Sequence, residues 1–249
     1  MAIRALPLCQ LADITRYRLP MTDAKPYLAR LQEGRWFQTL PEGLRQALCD
    51  AAVVRRLPAG QRLFARGDAP CGLYCVVEGA MRVSVVGESG KEALLALVEA
   101  PNWFGEICLF DGQPRTHDAY AEGATVLLQL PQPPMQALLA QHPEYWRDFA
   151  LLMSHKLRIT FAVLEELSLL PAAPRLARRL LMIAEGYGES ATAKRELHLP
   201  QDQLAAMLSL SRQTTNQILK DLEAQGIVRL SYGGIEILDR ERLRQAAHA

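Results

Sequence analysis

The chain has 249 residues, 49% of them hydrophobic, and its 28 basic and 27 acidic side chains leave a formal net charge of +1. This is the composition of an ordinary soluble globular protein, long enough for two domains with real cores. The longest clean apolar run, ALLALV at 93–98, is far too short to span a bilayer, so no membrane is expected.

The N-terminus lacks a basic-then-apolar leader pattern, and a cytoplasmic protein is expected. Cys9, Cys49, Cys71, Cys75 and Cys108 fit thiols in a reducing compartment better than a disulfide scaffold. Cys71 and Cys75 are spaced C-x3-C with no second pair at metal-finger spacing, and the five histidines are scattered. No metal site and no enzyme built on clustered histidines is expected. Near-neutral charge does not exclude DNA, because a basic footprint can be local.

Residues 1–27 carry proline and basic residues without a sustained period and read as an N-terminal extension. A first domain is expected over 28–142. Its first part, about 28–56, has a helical pattern. From 57 to 131 the character changes: nine of the sixteen glycines lie between Gly60 and Gly123, separated by short apolar runs. Met81, Val83 and Val85 alternate with Ala80, Arg82 and Ser84, the period of a half-buried strand. Short strands at this spacing predict a small all-β roll or sandwich. A short helix is expected over 134–141.

A long helix is expected over 143–170, with Pro143 suited to its first turn. Phe149, Met153, Lys156, Thr160, Val163, Leu167 and Leu170 follow a 3.5-residue repeat, the seam of a two-stranded coiled coil. Leu152, Ile159 and Leu164 flank the seam and are expected to cover the β domain. A homodimer follows as an expectation. Pro171 and Pro174 then break the helix and predict a hinge.

The last domain is expected over 171–249. A helix closed by Gly186 precedes a short helix at Gln201–Leu208, a tight turn at Ser209–Leu210, and a second helix from the N-cap Ser211 to Ala224. Gly226 supplies its stop, and IVRLSYGGIEIL reads as a hairpin turning at Gly233–Gly234. This order is that of a winged helix-turn-helix. Leu204, Met207, Leu208, Ile218 and Leu222 are expected between the two helices. Arg212, Gln213, Thr214, Asn216, Gln217 and Lys220 face outward, and such side chains suit base edges and phosphates. A merely solvated amphipathic helix would show a polar face too, but not the helix–turn–helix–hairpin order around it.

With these residues, the stretch from about 28 to 240 resembles the CRP/FNR family of bacterial transcription regulators. The family motif S-R-x-T-x-x-x-x-L stands here as Ser211, Arg212, Thr214 and Leu219. The resemblance implies an α+β fold: a cyclic-nucleotide-binding β-roll, a dimerising helix and a C-terminal winged helix-turn-helix. It also implies a palindromic double-stranded DNA site and RNA polymerase as a partner. Where cyclic-AMP-responsive members place a base-reading glutamate and arginine, this sequence has Gln213 and Gln217. Glutamine pairs most naturally with adenine N6 and N7, which predicts a different half-site containing a specified A·T pair.

The resemblance extends to the family's phosphate-binding cassette, here Phe104, Gly105, Glu106, Leu109, Arg115 and Thr116. It implies that Arg115 pairs with a cyclic phosphate and that Thr116 binds a phosphate oxygen. It further implies that Glu106 accepts from a ribose hydroxyl, that the Gly105 backbone lies along the sugar, and that Thr160 on the long helix contacts the base. A guanidinium fork does suit phosphate oxygens. The effector implied is a cyclic nucleotide, cAMP or cGMP, with Phe161 standing where the family has a partner-subunit serine. A structural Glu–Arg pair with no ligand is the other reading of the same turn, and it corresponds to a regulator with a degenerate pocket that answers to redox state or to no ligand. His117 and Asp118 read as a surface pair.

Overall fold

The computed structural model describes residues 24–88, 90, 92–189 and 193–248. Most of the expected N-terminal extension, residues 1–23, lies outside this part. The chain divides into two compact units, one running to Val85 and over Ala96–His155, the other comprising Val86–Leu95 and the chain from Lys156 onward.

In the first unit, helices α1 (Leu28–Leu31), α2 (Arg35–Thr39) and α3 (Glu42–Ala51) make up the helical pattern expected over 28–56. Gly34 and Pro41 take extended backbone just before α2 and α3, which divides the run. Strands follow: β1 (Val53–Leu57), β2 (Arg62–Phe64), β3 (Leu73–Glu78), β4 (Ala80–Val86), β5 (Glu92–Glu99) and β6 (Trp103–Phe104). After the short helix α4 (Ile107–Asp111) come β7 (Asp118–Ala121) and β8 (Thr125–Leu130). They form two four-stranded sheets, ordered β1-β8-β3-β6 and β2-β7-β4-β5.

Strands β3 and β8 sit inside the roll and feed two cores by strand alternation. Leu73, Cys75, Val77, Leu128 and Leu130 join Trp36, Phe37, Leu44 and Phe149 in one cluster. Tyr74, Val76 and Leu127 point the other way, into a cluster with Leu63, Phe64, Met81 and Phe104. Burial on both faces explains why these strands read as continuous apolar runs. In β4 the expected alternation is broken. Met81 is buried, but Val83 and Val85 are only half-buried while Ser84 is fully buried, so both faces of this strand are covered.

Helix α5 (Gln132–Gln141) and a 3-10 turn at Pro143–Tyr145 lead into α6 (Trp146–Leu169). Phe149, assigned to the dimer seam by its spacing, is instead core. Its ring lies 5.5 Å from that of Trp36, whose Nε1 donates to the Asp148 carbonyl at 2.8 Å. Leu152 is buried in the same cluster, as expected. Farther along α6, Leu164 is 57% exposed.

The second unit continues with α7 (Ala172–Ala184), β9 (Glu196–Leu197), α8 (Gln201–Leu208), α9 (Arg212–Ala224), β10 (Val228–Ser231), β11 (Gly234–Ile237) and α10 (Arg240–Ala246). Only Pro171 stands at the break after α6. Pro174 is inside the first turn of α7, where a missing N–H costs nothing. Across that break Glu166 is buried, with one guanidinium nitrogen of Arg178 at 4.0 Å. Burial pushes its carboxyl above the usual range, against the opposing pull of Arg179, Arg178 and Arg175. The three-stranded sheet β10-β11-β9 forms the wing. Ser231 pairs with Gly234, so the hairpin turns at Tyr232–Gly233 rather than at the expected Gly233–Gly234.

Among the described residues Cys49, Cys75 and Cys108 are free thiols.

Candidate functional site

The cassette begins where β6 ends. Gly105 has φ +91, and α4 follows at once, stopped at Gly112. The chain then returns along the β2–β3 loop: Arg115 N donates to Asp68 O at 2.8 Å, and Gly67 N donates to Arg115 O at 2.8 Å. These bonds hold Arg115 so that its side chain enters the roll.

Arg115 is 3% exposed. One terminal nitrogen donates to Gly105 O at 2.9 Å; the other donates to Gly72 O at 2.5 Å and to Cys71 Sγ at 3.2 Å. The guanidinium lies 4.5 Å from the Phe64 ring centroid and 5.5 Å from that of Tyr74. Its Nε is buried without a partner. Gly72 is fitted to this clasp: at φ +119, a Cβ there would stand 1.9 Å from Leu130 O. A Cβ on Gly105 would stand 2.7 Å from the Arg115 fork. Both positions admit only glycine. Burial raises the Tyr74 phenol above its ordinary value, with the charge of Arg115 opposing.

Of the other residues singled out, Glu106 is buried at 4% exposure. Thr116 is exposed, its Oγ1 2.8 Å from His117 Nδ1. The expected His117–Asp118 surface pair is not formed. Asp118 instead accepts from Arg66 N at 2.9 Å, and burial lowers the His117 imidazole below its usual value. On α6, Thr160 is exposed and its hydroxyl donates to Lys156 O at 2.9 Å, the satisfaction a helix supplies to a lone threonine. A cyclic phosphate fits the residue types of the cassette. It would have to draw the Arg115 fork away from two carbonyls. Among the described residues no group of three His, Cys, Asp or Glu is placed to hold a metal, and no described helix is long and apolar enough to cross a membrane.

The second candidate surface is α9. Ser211 caps it, its Oγ accepting from Thr214 N at 3.0 Å. Ser209, at φ 53, makes the turn between α8 and α9. Thr215, Leu219 and Leu222 face the core, against Leu204, Met207 and Leu208 of α8. Ile218, expected in that seam, is only half-buried. Arg212, Gln213, Gln217 and Lys220 are exposed and Asn216 half-exposed, so the structure brings the expected polar side chains onto one face. The wing is tied to α9, with Leu230 N donating to Glu223 Oε1 at 2.7 Å. Tyr232 stands fully exposed at its tip.

Two features escaped the sequence reading. Gly72 and the rings of Phe64 and Tyr74 form the clasp around Arg115, from the strands β2 and β3 and the loop between them, far back along the chain, and no local spacing signals it. Asp221 accepts from Gln217 Nε2 at 2.9 Å; here the signal was present, a carboxylate four residues after an amide on a helix.

A model of the cyclic nucleotide-binding domain matches residues 54–142, and one of the Crp-like helix-turn-helix domain matches residues 174–246. The chain is 32% identical over 195 residues to the Cyclic AMP receptor protein of Thermus thermophilus, covering 78% of this chain and 88% of that protein. It is 29% identical over 204 residues to the CRP-like cAMP-activated global transcriptional regulator of Mycobacterium tuberculosis, covering 79% and 91%. The crystal structure of a CRP/FNR-family transcriptional regulator from Thermus thermophilus superposes with a TM-score of 0.63 at 28% identity, covering 79% of this chain and 98% of that one.

Proposed function

The chain belongs to the CRP/FNR family of transcription regulators, and from that premise we propose a cytoplasmic homodimer that reads a palindromic duplex DNA site through α9 and answers to a cyclic nucleotide, cAMP or cGMP. It has a cyclic nucleotide-binding domain and a DNA-binding helix-turn-helix domain.

The observation that carries the DNA half is the outward polar face of α9, held by the Ser211 cap and the buried Thr215, Leu219 and Leu222. Arg212 and Lys220 suit phosphates; Gln213, Asn216 and Gln217 suit base edges. The homodimer rests on the apolar side chains that α6 leaves in water: Leu157, Phe161, Leu164 and Leu167 are 43–60% exposed. Membership in the family supports RNA polymerase as the machinery regulated.

For the effector, Gly105, Glu106, Arg115 and Thr116 are the roll's proposed contacts, with Arg115 for the phosphate. Gating is then a linkage: a ligand that binds better to the DNA-competent state shifts the population toward it. The clasp on Arg115 favours a second reading, a roll that needs no nucleotide because its guanidinium already has internal acceptors. A mobility shift with a randomised duplex pool, run with and without cAMP and cGMP, separates the two. Nucleotide-dependent retention supports gating. Equal retention in all lanes supports the nucleotide-independent roll, and no selected sequence overturns the DNA reading.

A further inference from the structure

We infer that Asp221 is a positioning residue that fixes which atoms Gln217 presents to DNA, and so sets its preference for adenine over guanine. The inference rests on the reading of α9 as the DNA-contacting helix and deepens it.

Gln217 and Asp221 are four residues apart on α9, both exposed, with Gln217 Nε2 donating to Asp221 Oδ1 at 2.9 Å. A side-chain amide has two faces to offer: an oxygen that only accepts and a nitrogen that only donates. Free in water, the terminal torsion is broad and roughly two-fold, so either end can be turned outward. A carboxylate removes that choice. It only accepts, so the amide end facing Asp221 must be the nitrogen, and the assignment of oxygen and nitrogen follows from chemistry. Nε2 has two hydrogens, and Asp221 takes one. What remains for a partner is Oε1 and a single N–H.

That remainder is an acceptor beside a donor. In the major groove adenine offers the complement, the N6 amino hydrogen and the N7 lone pair. Guanine offers two acceptors, N7 and O6, which call for two donors. An untethered glutamine can turn its NH2 outward and give both hydrogens to guanine. A glutamine held by Asp221 has one hydrogen left and its oxygen facing a guanine acceptor. The tether therefore works mainly by rejecting the wrong base. The carboxylate has a cost, since a negative charge at a phosphate-rich surface weakens binding to every sequence. A residue that only stabilised the helix would leave base preference unchanged.

The test uses the full-length protein and duplexes carrying the selected site, with each position of one half-site varied in turn. Binding competition at fixed salt is measured for the wild type, Gln217→Ala, Asp221→Ala and Asp221→Asn. Gln217→Ala identifies the position read, by flattening its preference. Asp221→Ala is expected to lower the adenine-over-guanine ratio at that same position by about two- to fivefold, an exposed i,i+4 pair setting the lower figure and interface desolvation the upper. Asp221→Asn offers a donor as well as an acceptor, so it leaves the amide free to turn either way and is expected to lower the ratio in the same direction. Both Asp221 variants should bind non-specific DNA more tightly.

If Asp221→Ala keeps the wild-type ratio while Gln217→Ala loses it, the tether is overturned and the DNA reading of α9 stands. If Asp221→Asn keeps the wild-type ratio, an acceptor-only partner is not what fixes the amide, and the tether is again overturned. If Gln217→Ala changes preference at no position, the placement of Gln217 on a base falls, and the tether with it.

Discussion

The roll and the winged helix-turn-helix use the same kind of residue in opposite ways. Arg115 is 3% exposed, with its fork on Gly72 and Gly105 carbonyls and its plane over Phe64. Arg212 opens α9 in full contact with water. In the roll the two terminal nitrogens are answered by the protein itself. On α9 they face outward, with the capping hydroxyl of Ser211 holding the helix end that carries them. A motif can thus be complete in residue type and still be internally satisfied. The environment of a side chain decides whether it waits for a ligand.

The largest effect that breaks or sharpens this contrast is expected from Arg115→Leu. It takes the donors from the buried Gly72 carbonyl and the part-buried Gly105 carbonyl and should lower stability by about 4 kcal/mol. Denaturant unfolding measures it. A variant as stable as the wild type would show that the clasp contributes little and that Arg115 is held ready for a phosphate.

On the DNA side, Ser211→Ala should cost about 1 kcal/mol, the usual worth of a helix cap. The same denaturation curve reads it, alongside a loss of DNA affinity as the first turn of α9 frays. Unchanged stability would place the rigidity of that turn elsewhere.

The smallest effect concerns Glu166. Its carboxyl is raised in the folded chain, so the native state binds a proton more readily than the unfolded one, and this contribution is fully present only below the ordinary carboxyl range. It is lost as pH rises through the raised value. Glu166→Gln mimics the protonated form at every pH. At neutral pH it should match the wild type or exceed it by up to about 1 kcal/mol, with the gain vanishing in acid. Thermal melts between pH 4 and pH 8 would show it; a variant less stable at neutral pH would mean that pairing with the arginines outweighs burial.

What could be read in the sequence was what local chemistry decides. The helix from Ser211 to Ala224, the turn at Ser209 and the hairpin after Gly226 depend on caps, positive φ and short range, and they stand in the structure where the sequence put them, save for a one-residue shift of the hairpin turn. Strand β9 and helix α10 escaped because each is short, and β9 exists only by pairing with β11. The 3.5-residue repeat along α6 stands in the sequence, but periodicity cannot say which partner each face meets. Phe149 went to the core against Trp36, and Leu164 stayed in water. Arg115 was found and its surroundings were not, because Gly72 and Tyr74 come to it only when β3 folds against β6.

Leu157, Phe161, Leu164 and Leu167 have one more consequence. For a chain that pairs along them, covering that stripe is part of folding, so stability depends on how many copies are present. A dilute population would melt earlier and be degraded faster than a concentrated one. A cell starting to make the regulator would hold little of it for longer than its synthesis rate implies, and a cell already rich in it would lose it slowly. The side chains of one helix face would thereby give the regulator's abundance a memory of its own past.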